Sequence, residues 1–367
     1  MAISRSAKEM NIAVFQNLPP GGGKRVVYEQ VKGLIKRGHH IDVYQLSSPH
    51  PDFCDLKSLA CRVSDFKFSK HPNRLLADWQ NFIPLRFLHK QIANIINHGN
   101  YDTALIHTDM YTESPFILRY LTIPNIYFCH ELLRIGYEPE LAFHESVGFA
   151  KTTYENITRK IRVALDKNNA RSADKIITTS KFIQKKILSA YGKKAEVCYL
   201  GADLETFKPH GPKQNLVIFM GSKSHVGGYD FVREIQKKRN FKLIAYGFSQ
   251  KGPDLNDDTA LAKAYSGSLA CLCVSINEPF GLKALESMAC ATPVLAVNEG
   301  GYRETVVDGV TGWLLPRDPR AFADKIKFLQ SHPEIVAKMG KAGRKHVIDN
   351  FTWDRHVNRL LSLIHPG

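Results

Sequence analysis

Short apolar, β-rich runs alternate with amphipathic stretches along almost the whole of this 367-residue chain, and they do so in two successive series. In the first, NIAVFQ (11–16), HIDVYQL (40–46), TALIHT (103–108), NIYFCH (125–130), KIITTS (175–180) and EVCYL (196–200) read as strands. Stretches of helical periodicity, such as Val26–Arg37 and Lys181–Tyr191, lie between several of them. A parallel neighbour needs a crossover and a helix supplies one, so this alternation predicts a doubly wound parallel sheet. GADLETFKPHGPK (201–213), rich in Gly, Pro and polar residues, reads as a linker. The second series follows with NLVIFM (215–220), FKLIAYG (241–247), LACLCVS (269–275) and PVLAVN (293–298). Two α/β units in tandem place a cleft at the carboxyl ends of their strands, where ligands of such sheets bind.

The length agrees, since single cores stop growing near 250–300 residues. A hydrophobic fraction of 44% and a charged fraction of 23% are those of an ordinary folded chain. No apolar run reaches the roughly 18 residues of a membrane-spanning helix. The opening MAISRSAKEMNIAVFQ has no secretory apolar region, which predicts a cytoplasmic protein. The seven cysteines are odd in number and form no C-x-x-C pair, and several lie in apolar runs. Reduced, buried thiols are expected rather than disulfides or a zinc site.

The net charge of +15 is concentrated in the first part: residues 1–200 carry 28 Lys and Arg against 18 Asp and Glu, and the remainder 22 against 17. Nucleic acid, an anionic membrane surface or plain solubility would each account for it. No zinc-finger, RNP or helix-turn-helix signature is present, which argues against nucleic acid. Within Phe66–Lys90, five cations (Lys67, Lys70, Arg74, Arg86, Lys90) interleave with Trp79, Phe82, Phe87 and several leucines. That mixture suits anionic lipid headgroups and, with them, peripheral contact at the inner membrane face. The alternative is an ordinary surface helix pair with one buried apolar face.

The sharpest chemical signal is Asn277-Glu278-Pro279-Phe280-Gly281-Leu282-Lys283-Ala284-Leu285-Glu286-Ser287-Met288-Ala289-Cys290. Pro279 stands where a helix could begin, and Gly281 lets backbone approach a ligand closely. A helix over Gly281–Cys290 would turn unpaired N–H groups and a positive dipole end toward an anion such as a diphosphate. Glu278 and Glu286, eight residues apart, fall on a similar face and could accept hydrogen bonds from sugar and ribose hydroxyls. The plain alternative is a surface helix with two solvated glutamates.

This stretch resembles the retaining glycosyltransferases of family four, whose mark is a glutamate pair within EPFG-x-x-x-LEAMA-x-G-x-PV. Three further segments fit in order: Ala173–Phe182 with Cys198–Asp203 and Phe207–Pro209, the Gly300–Leu315 turn (GG-x-x-E…DG-x-TG-x-L), and Phe351-Thr352-Trp353. The resemblance covers most of the chain. It implies an α/β, GT-B fold: two Rossmann-like domains facing each other across a cleft, with a C-terminal helix crossing back to the first. The expected parts are an acceptor-side domain (1–200), a linker (201–213), a donor domain (214–350) and the closing helix (351–367). It also implies a nucleotide-diphosphate sugar (UDP- or GDP-sugar) as donor, a lipid, glycan or small-molecule acceptor, no metal and no other cofactor. Glu278 and His130 take catalytic positions. Gly22, Gly23, Lys223, Pro279, Phe280, Gly281, Leu282 and Glu286 fall where the donor is held. Alone, Gly21-Gly22-Gly23 is a flexible turn after the first strand, and His130 a structural histidine at a strand end.

Two departures stand out. The family's G-R-L-x-x-x-K-G loop reads Gly221-Ser222-Lys223-Ser224-His225-Val226-Gly227-Gly228 here, so Ser222 and Gly227 replace an arginine and a lysine. Each lost charged hydrogen bond would cost about 1.5–3 kcal/mol. Lys223, His225, Lys24, Arg25 or Lys283 could substitute; otherwise turnover is weak and the chain binds nucleotide sugars without transferring them. The segment between Gly247 and Ala264 is also short for the family, which leaves the nucleobase open. No Asp-x-Asp metal motif is present; Asp254, Asp257 and Asp258 read as a loop cluster.

Overall fold

The computed structural model describes residues 9–47, 53–138, 149–221, 224–246 and 257–364. The chain divides into two compact units. The first comprises Met1–Thr179, Ile183–Cys198 and Leu360–Gly367; the second comprises Ser180–Phe182 and Tyr199–Arg359. The 201–213 segment therefore belongs to the second unit, where the Ala202 N–H donates to the Phe351 carbonyl at 2.9 Å and Phe207 is buried.

The first unit contains β1 (Asn11–Asn17), β2 (His40–Leu46), β3 (Arg62–Phe66), β4 (Thr103–Asp109), β5 (Asn125–Cys129), β6 (Lys175–Thr178) and β7 (Glu196–Val197). They form one parallel sheet in the order β3-β2-β1-β4-β5-β6-β7. Its helices are α1 (Gly22–Ile35), α2 (Arg74–Phe82), α3 (Pro84–Asn97), α4 (Arg134–Tyr137), α5 (Phe149–Arg171) and most of α6 (Lys181–Tyr191). β1, β4 and β5 are buried almost throughout, as strands covered on both faces must be.

In the second unit, β8 (Val217–Met220), β9 (Leu243–Tyr246), β10 (Ala270–Cys273), β11 (Val294–Val297) and β12 (Gly312–Leu315) form a parallel sheet ordered β12-β11-β10-β8-β9. Its helices are α7 (Tyr229–Lys238), α8 (Asp258–Gly267), α9 (Leu282–Ala289), α10 (Tyr302–Thr305), α11 (Pro319–Ser331), α12 (Pro333–Asn350) and the larger part of α13 (Trp353–Ile364).

Several local expectations are corrected. The helix read from Val26 starts at Gly22, inside the glycine triplet, because Gly21 (φ 150°) takes a backbone turn that only glycine adopts easily and accepts the Arg25 N–H at 3.1 Å. α9 falls where the sequence predicts a helix over Gly281–Cys290, spanning Leu282–Ala289 with Gly281 (φ 103°) and Cys290 at its caps. EVCYL keeps only a two-residue strand. Asp257 and Asp258 open α8, with the Asp257 carboxylate accepting the Ala260 N–H at 2.9 Å; Asp254 lies outside the described residues. The seven cysteines are free thiols, five of them buried.

The first core holds a histidine whose neutrality the fold enforces. His89 on α3 is fully buried, with Nε2 3.5 Å from the Asp109 carboxylate. Burial pushes its pKa down to about 4 although Asp109 pulls the other way. The unfolded chain takes up the proton near pH 6.5, and the folded chain does not until about pH 4. Stability is therefore complete above pH 6.5 and falls as the pH drops toward 4, by roughly 3 kcal/mol for this group. Urea unfolding of the wild type and His89→Phe should show a smaller loss between pH 7 and pH 4 in the variant. Equal losses would mean that His89 does not titrate on unfolding.

Candidate functional site

The strand order of the second unit sets where a ligand can enter. Taken in chain order, the strands lie as 2-1-3-4-5, so the connections run in opposite directions from β8 and β10. Loops leaving the carboxyl ends of two such strands part from each other and leave a crevice. Among the described residues, Gly221 and 224–228 follow β8, and 274–281 follow β10. They are held together at their bases. The Ile276 N–H donates to the Val226 carbonyl at 2.9 Å, and a Cβ on Gly228 would stand 2.6 Å from the Val274 carbonyl oxygen.

Glu278 projects from the second loop and is only partly exposed. Its carboxylate lies 3.0 Å from the Lys283 ammonium and accepts the Tyr302 hydroxyl at 3.3 Å; Lys283 also donates to Ser275 Oγ at 2.6 Å. Burial alone would raise the Glu278 pKa, but the adjacent Lys283 charge and the hydrogen bonds hold it below the usual carboxylate range. Burial would lower the pKa of Lys283, yet Glu278 keeps it raised. At neutral pH the site therefore presents an ionised, acceptor-only carboxylate in a fixed position.

The backbone around Glu278 is locked by the Gly300-Gly301 turn. The Gly301 N–H donates to the Glu278 carbonyl at 2.7 Å. A Cβ on Gly301 would meet Phe280 Cα at 2.5 Å, and one on Gly300 (φ 57°) would meet the Glu278 carbonyl oxygen at 2.5 Å. Phe280 is buried and stacks on Tyr199 at 5.9 Å, and the Pro279 carbonyl accepts Ser180 Oγ at 2.6 Å. Arg317 reaches the Val274 carbonyl at 3.0 Å while its fork grips Glu299 at 2.9 and 2.7 Å.

Leu282 is the first residue of α9, and no side chain caps its opening N–H groups, although the Ala284 N–H donates to the Gly281 carbonyl at 3.0 Å. Glu286, in the next turn, is 6% exposed and accepts the Tyr265 hydroxyl at 3.4 Å. Glu278, Pro279, Phe280, Gly281, Leu282 and Glu286 thus gather around the start of one helix. Lys223 and Ser222 lie outside the described residues. Gly227 is buried in a short turn (His225–Gly227) capped by Ser224, whose Oγ accepts the Gly227 N–H at 3.1 Å.

In the first unit the order of connections reverses between β1 and β4, and the candidate residues follow strands near that point. Gly22 and Gly23 form the first turn of α1 after β1, and Gly22 is exposed. His130 follows β5 and is half-buried. Its Nε2 lies 3.1 Å from Nδ1 of the buried His107 on β4, and its N–H donates to Thr108 Oγ1 at 3.3 Å. A hydrogen bond between two imidazoles needs one donor and one acceptor nitrogen, so the tautomers of His107 and His130 are coupled.

Lys283, Tyr302, Arg317 and His107 were not singled out for these roles from the sequence. The family turn contains Tyr302 and TALIHT contains His107, but only the folded chain shows which side chains they meet.

Two family models match. "Glycosyltransferase Family 4" covers residues 20–206 and "Glycosyl transferases group 1" covers residues 253–346. The chain is 38% identical over 97 residues to the mouse alpha-1,3/1,6-mannosyltransferase ALG2, a match spanning 26% of this chain and 23% of that protein's length. Its fold is similar to that of sucrose-phosphate synthase from Thermosynechococcus elongatus (TM-score 0.75, 20% identity, 97% of this chain and 98% of that one). It is similar too to Anabaena Alr3699/HepE in complex with UDP-glucose (TM-score 0.73, 17% identity, 97% and 99% covered). Two parallel-sheet α/β units of GT-B type, and a family model matched across half the sequence, place this chain in Glycosyltransferase Family 4.

Proposed function

We propose that this chain is a retaining, hexosyl-type glycosyltransferase that moves a sugar from a UDP- or GDP-sugar to a hydroxyl of a lipid, glycan or small molecule. The observation that carries the reading is the ionised Glu278, fixed by Lys283 and Tyr302 at the mouth of α9. The diphosphate is received by the N–H groups of that helix's first turn, where a helix dipole favours negative charge. Glu278 accepts hydrogen bonds from sugar hydroxyls, and Glu286 accepts them from ribose hydroxyls. His130 contacts the donor sugar near the reacting carbon, and the backbone at Gly22 and Gly23 approaches the phosphates. Charge builds on the leaving diphosphate as the glycosidic bond breaks, so fixed donors around it lower the barrier. The departing phosphate takes the acceptor proton on the same face, which retains the anomeric configuration without a metal. The similar fold of the UDP-glucose complex from Anabaena supports a nucleotide-sugar donor. The protein works in the cytoplasm, with peripheral contact at the inner face of an anionic membrane.

One observation favours a second reading, in which nucleotide sugars bind without transfer. Gly227 offers no cation, and the Lys283 ammonium is engaged by Glu278. A donor-hydrolysis assay beside a binding titration separates the two. The transferase reading predicts sugar release from the nucleotide sugar that binds. Binding with no release would establish the second. In the active case His130→Ala should lower turnover about 10²-fold or more while donor affinity changes little. Unchanged turnover would remove His130 from the site.

A further inference from the structure

α2 and α3 bury one apolar face and leave a second one bare. Ala77, Leu85, Ile92, Ala93 and Ile96 point into the core. On the outside, Leu75, Trp79, Ile83 and Phe87 recur at intervals of four, with Leu76 beside them. Leu75 is 61% exposed, Trp79 56% and Phe87 63%. Ile83 joins the two helices at Pro84: its N–H donates to the Trp79 carbonyl of α2 at 3.0 Å, and its carbonyl accepts the Phe87 N–H of α3 at 3.2 Å. Spacing of four keeps Leu75 and Trp79 on one face of α2, and Ile83 and Phe87 continue the exposed apolar residues into the first turn of α3. α5 is tied to α2 by Tyr154 and Arg162 on Asp78 and by Arg74 on Glu155, and it adds exposed Ile157 and Ile161.

The exposed charges of this segment have one sign, and of the neighbouring acids Glu155 on α5 is half-buried and paired with Arg74. Lys67, Lys70, Arg74, Arg86 and Lys90 are all exposed. From Phe66 to Tyr101 the sequence has a single carboxylate, Asp78, which is buried and bonded to Arg162 and Tyr154. A wide apolar crest with Trp and Phe, rimmed by cations and without exposed acids, is complementary to headgroup phosphates above acyl chains. A second copy of this chain would bring two basic rims together, which like-charge repulsion opposes.

We propose that the α2–α3 crest is an interfacial docking surface that seats the first unit on an anionic lipid bilayer, with Leu75, Trp79, Ile83 and Phe87 entering the headgroup layer. It gives residues to the peripheral contact included in the reading above and rests on that reading only there. The test uses vesicle binding and no turnover, so its failure leaves the transfer chemistry untouched.

The full-length chain is sedimented with vesicles of phosphatidylcholine alone and of phosphatidylcholine and phosphatidylglycerol in equal parts, at low and high salt. Binding should favour the anionic vesicles and weaken as salt rises. Trp79→Glu/Phe87→Glu should bind them about tenfold more weakly or worse, whereas Val310→Glu, at an exposed site in the second unit, should bind as the wild type does. The altered side chains are exposed, so unfolding midpoints should stay close to wild type. The chain has three tryptophans, so Trp313→Phe/Trp353→Phe leaves Trp79 as the sole indole, and its emission should shift to the blue on anionic vesicles. Three results would each overturn the proposal: no binding of the wild type to anionic vesicles, undiminished binding of the double-glutamate variant, or unshifted Trp79 emission. Self-association of the wild type, abolished in that variant without vesicle binding, would assign the crest to a second copy instead.

Discussion

Glu278→Gln should lower turnover of the nucleotide sugar by about 10²–10³-fold, the range seen when one oriented group at a charge-developing site is removed. The amide keeps much of the shape but loses the negative charge that fixes hydroxyl donors. It also leaves the Lys283 ammonium without its carboxylate in a site where both groups are mostly covered. Breaking a buried pair from one side costs about 3–5 kcal/mol, and the partial exposure here puts the expected loss at the lower end of that range. Two effects are therefore mixed in the single variant. Glu278→Gln/Lys283→Met separates them: it removes the orphaned charge, so stability should return toward wild type while turnover stays low. Recovery of turnover along with stability would mean that Glu278 is only a structural counter-ion.

Gly301→Ala should be the most damaging single-methyl change near the site. The added Cβ would stand 2.5 Å from Phe280 Cα and 2.6 Å from the Pro279 carbonyl oxygen, both backbone atoms that no rotamer change can move. Relief requires the 278–280 loop to shift, which also loosens the 2.7 Å bond from the Gly301 N–H to the Glu278 carbonyl. Overpacking of this kind costs about 1–3 kcal/mol. Displacing a positioned carboxylate by around an ångström can cost about 10²-fold in rate. Gly309→Ala is the control, because a Cβ there meets nothing within 4 Å although its φ of 72° still carries some strain. The prediction is a large fall in turnover for Gly301→Ala and a small one for Gly309→Ala, measured on folded protein. Similar falls in both would show that the turn does not position the loop.

The sequence announces the fold where strands are covered on both faces. β1, β4, β5, β10 and β11 read as apolar runs because helices flank their sheets. β3 and β12 gave no such signal. β3 is an edge strand with RVSDF only half-buried, and β12 is an edge strand opening on Gly312, where a Cβ would stand 2.0 Å from the Val294 carbonyl oxygen. The EPFG motif and the Gly300-Gly301 turn are each short and continuous, so both segments could be read directly. The partners of Glu278 could not. Tyr302 is 24 residues away, and Lys283 read as a free cation until the fold placed it 3.0 Å from Glu278. The start of α1 was misplaced for a related reason. Gly21 and Gly281 act as caps through backbone angles, and no side-chain acceptor marks either start.

A nucleotide-diphosphate sugar held in the crevice beside Glu278 would stabilise the folded chain against heat. Thermal unfolding of the full-length chain against a panel of UDP- and GDP-sugars tests it most directly. A ligand at a hundred times its dissociation constant adds about 2.7 kcal/mol of apparent stability. Sugars of one nucleotide should raise the unfolding midpoint in a concentration-dependent way. An unmoved midpoint with every nucleotide sugar at about 10 mM, above the roughly 1 μM–1 mM span of enzyme KM values, would overturn that assignment.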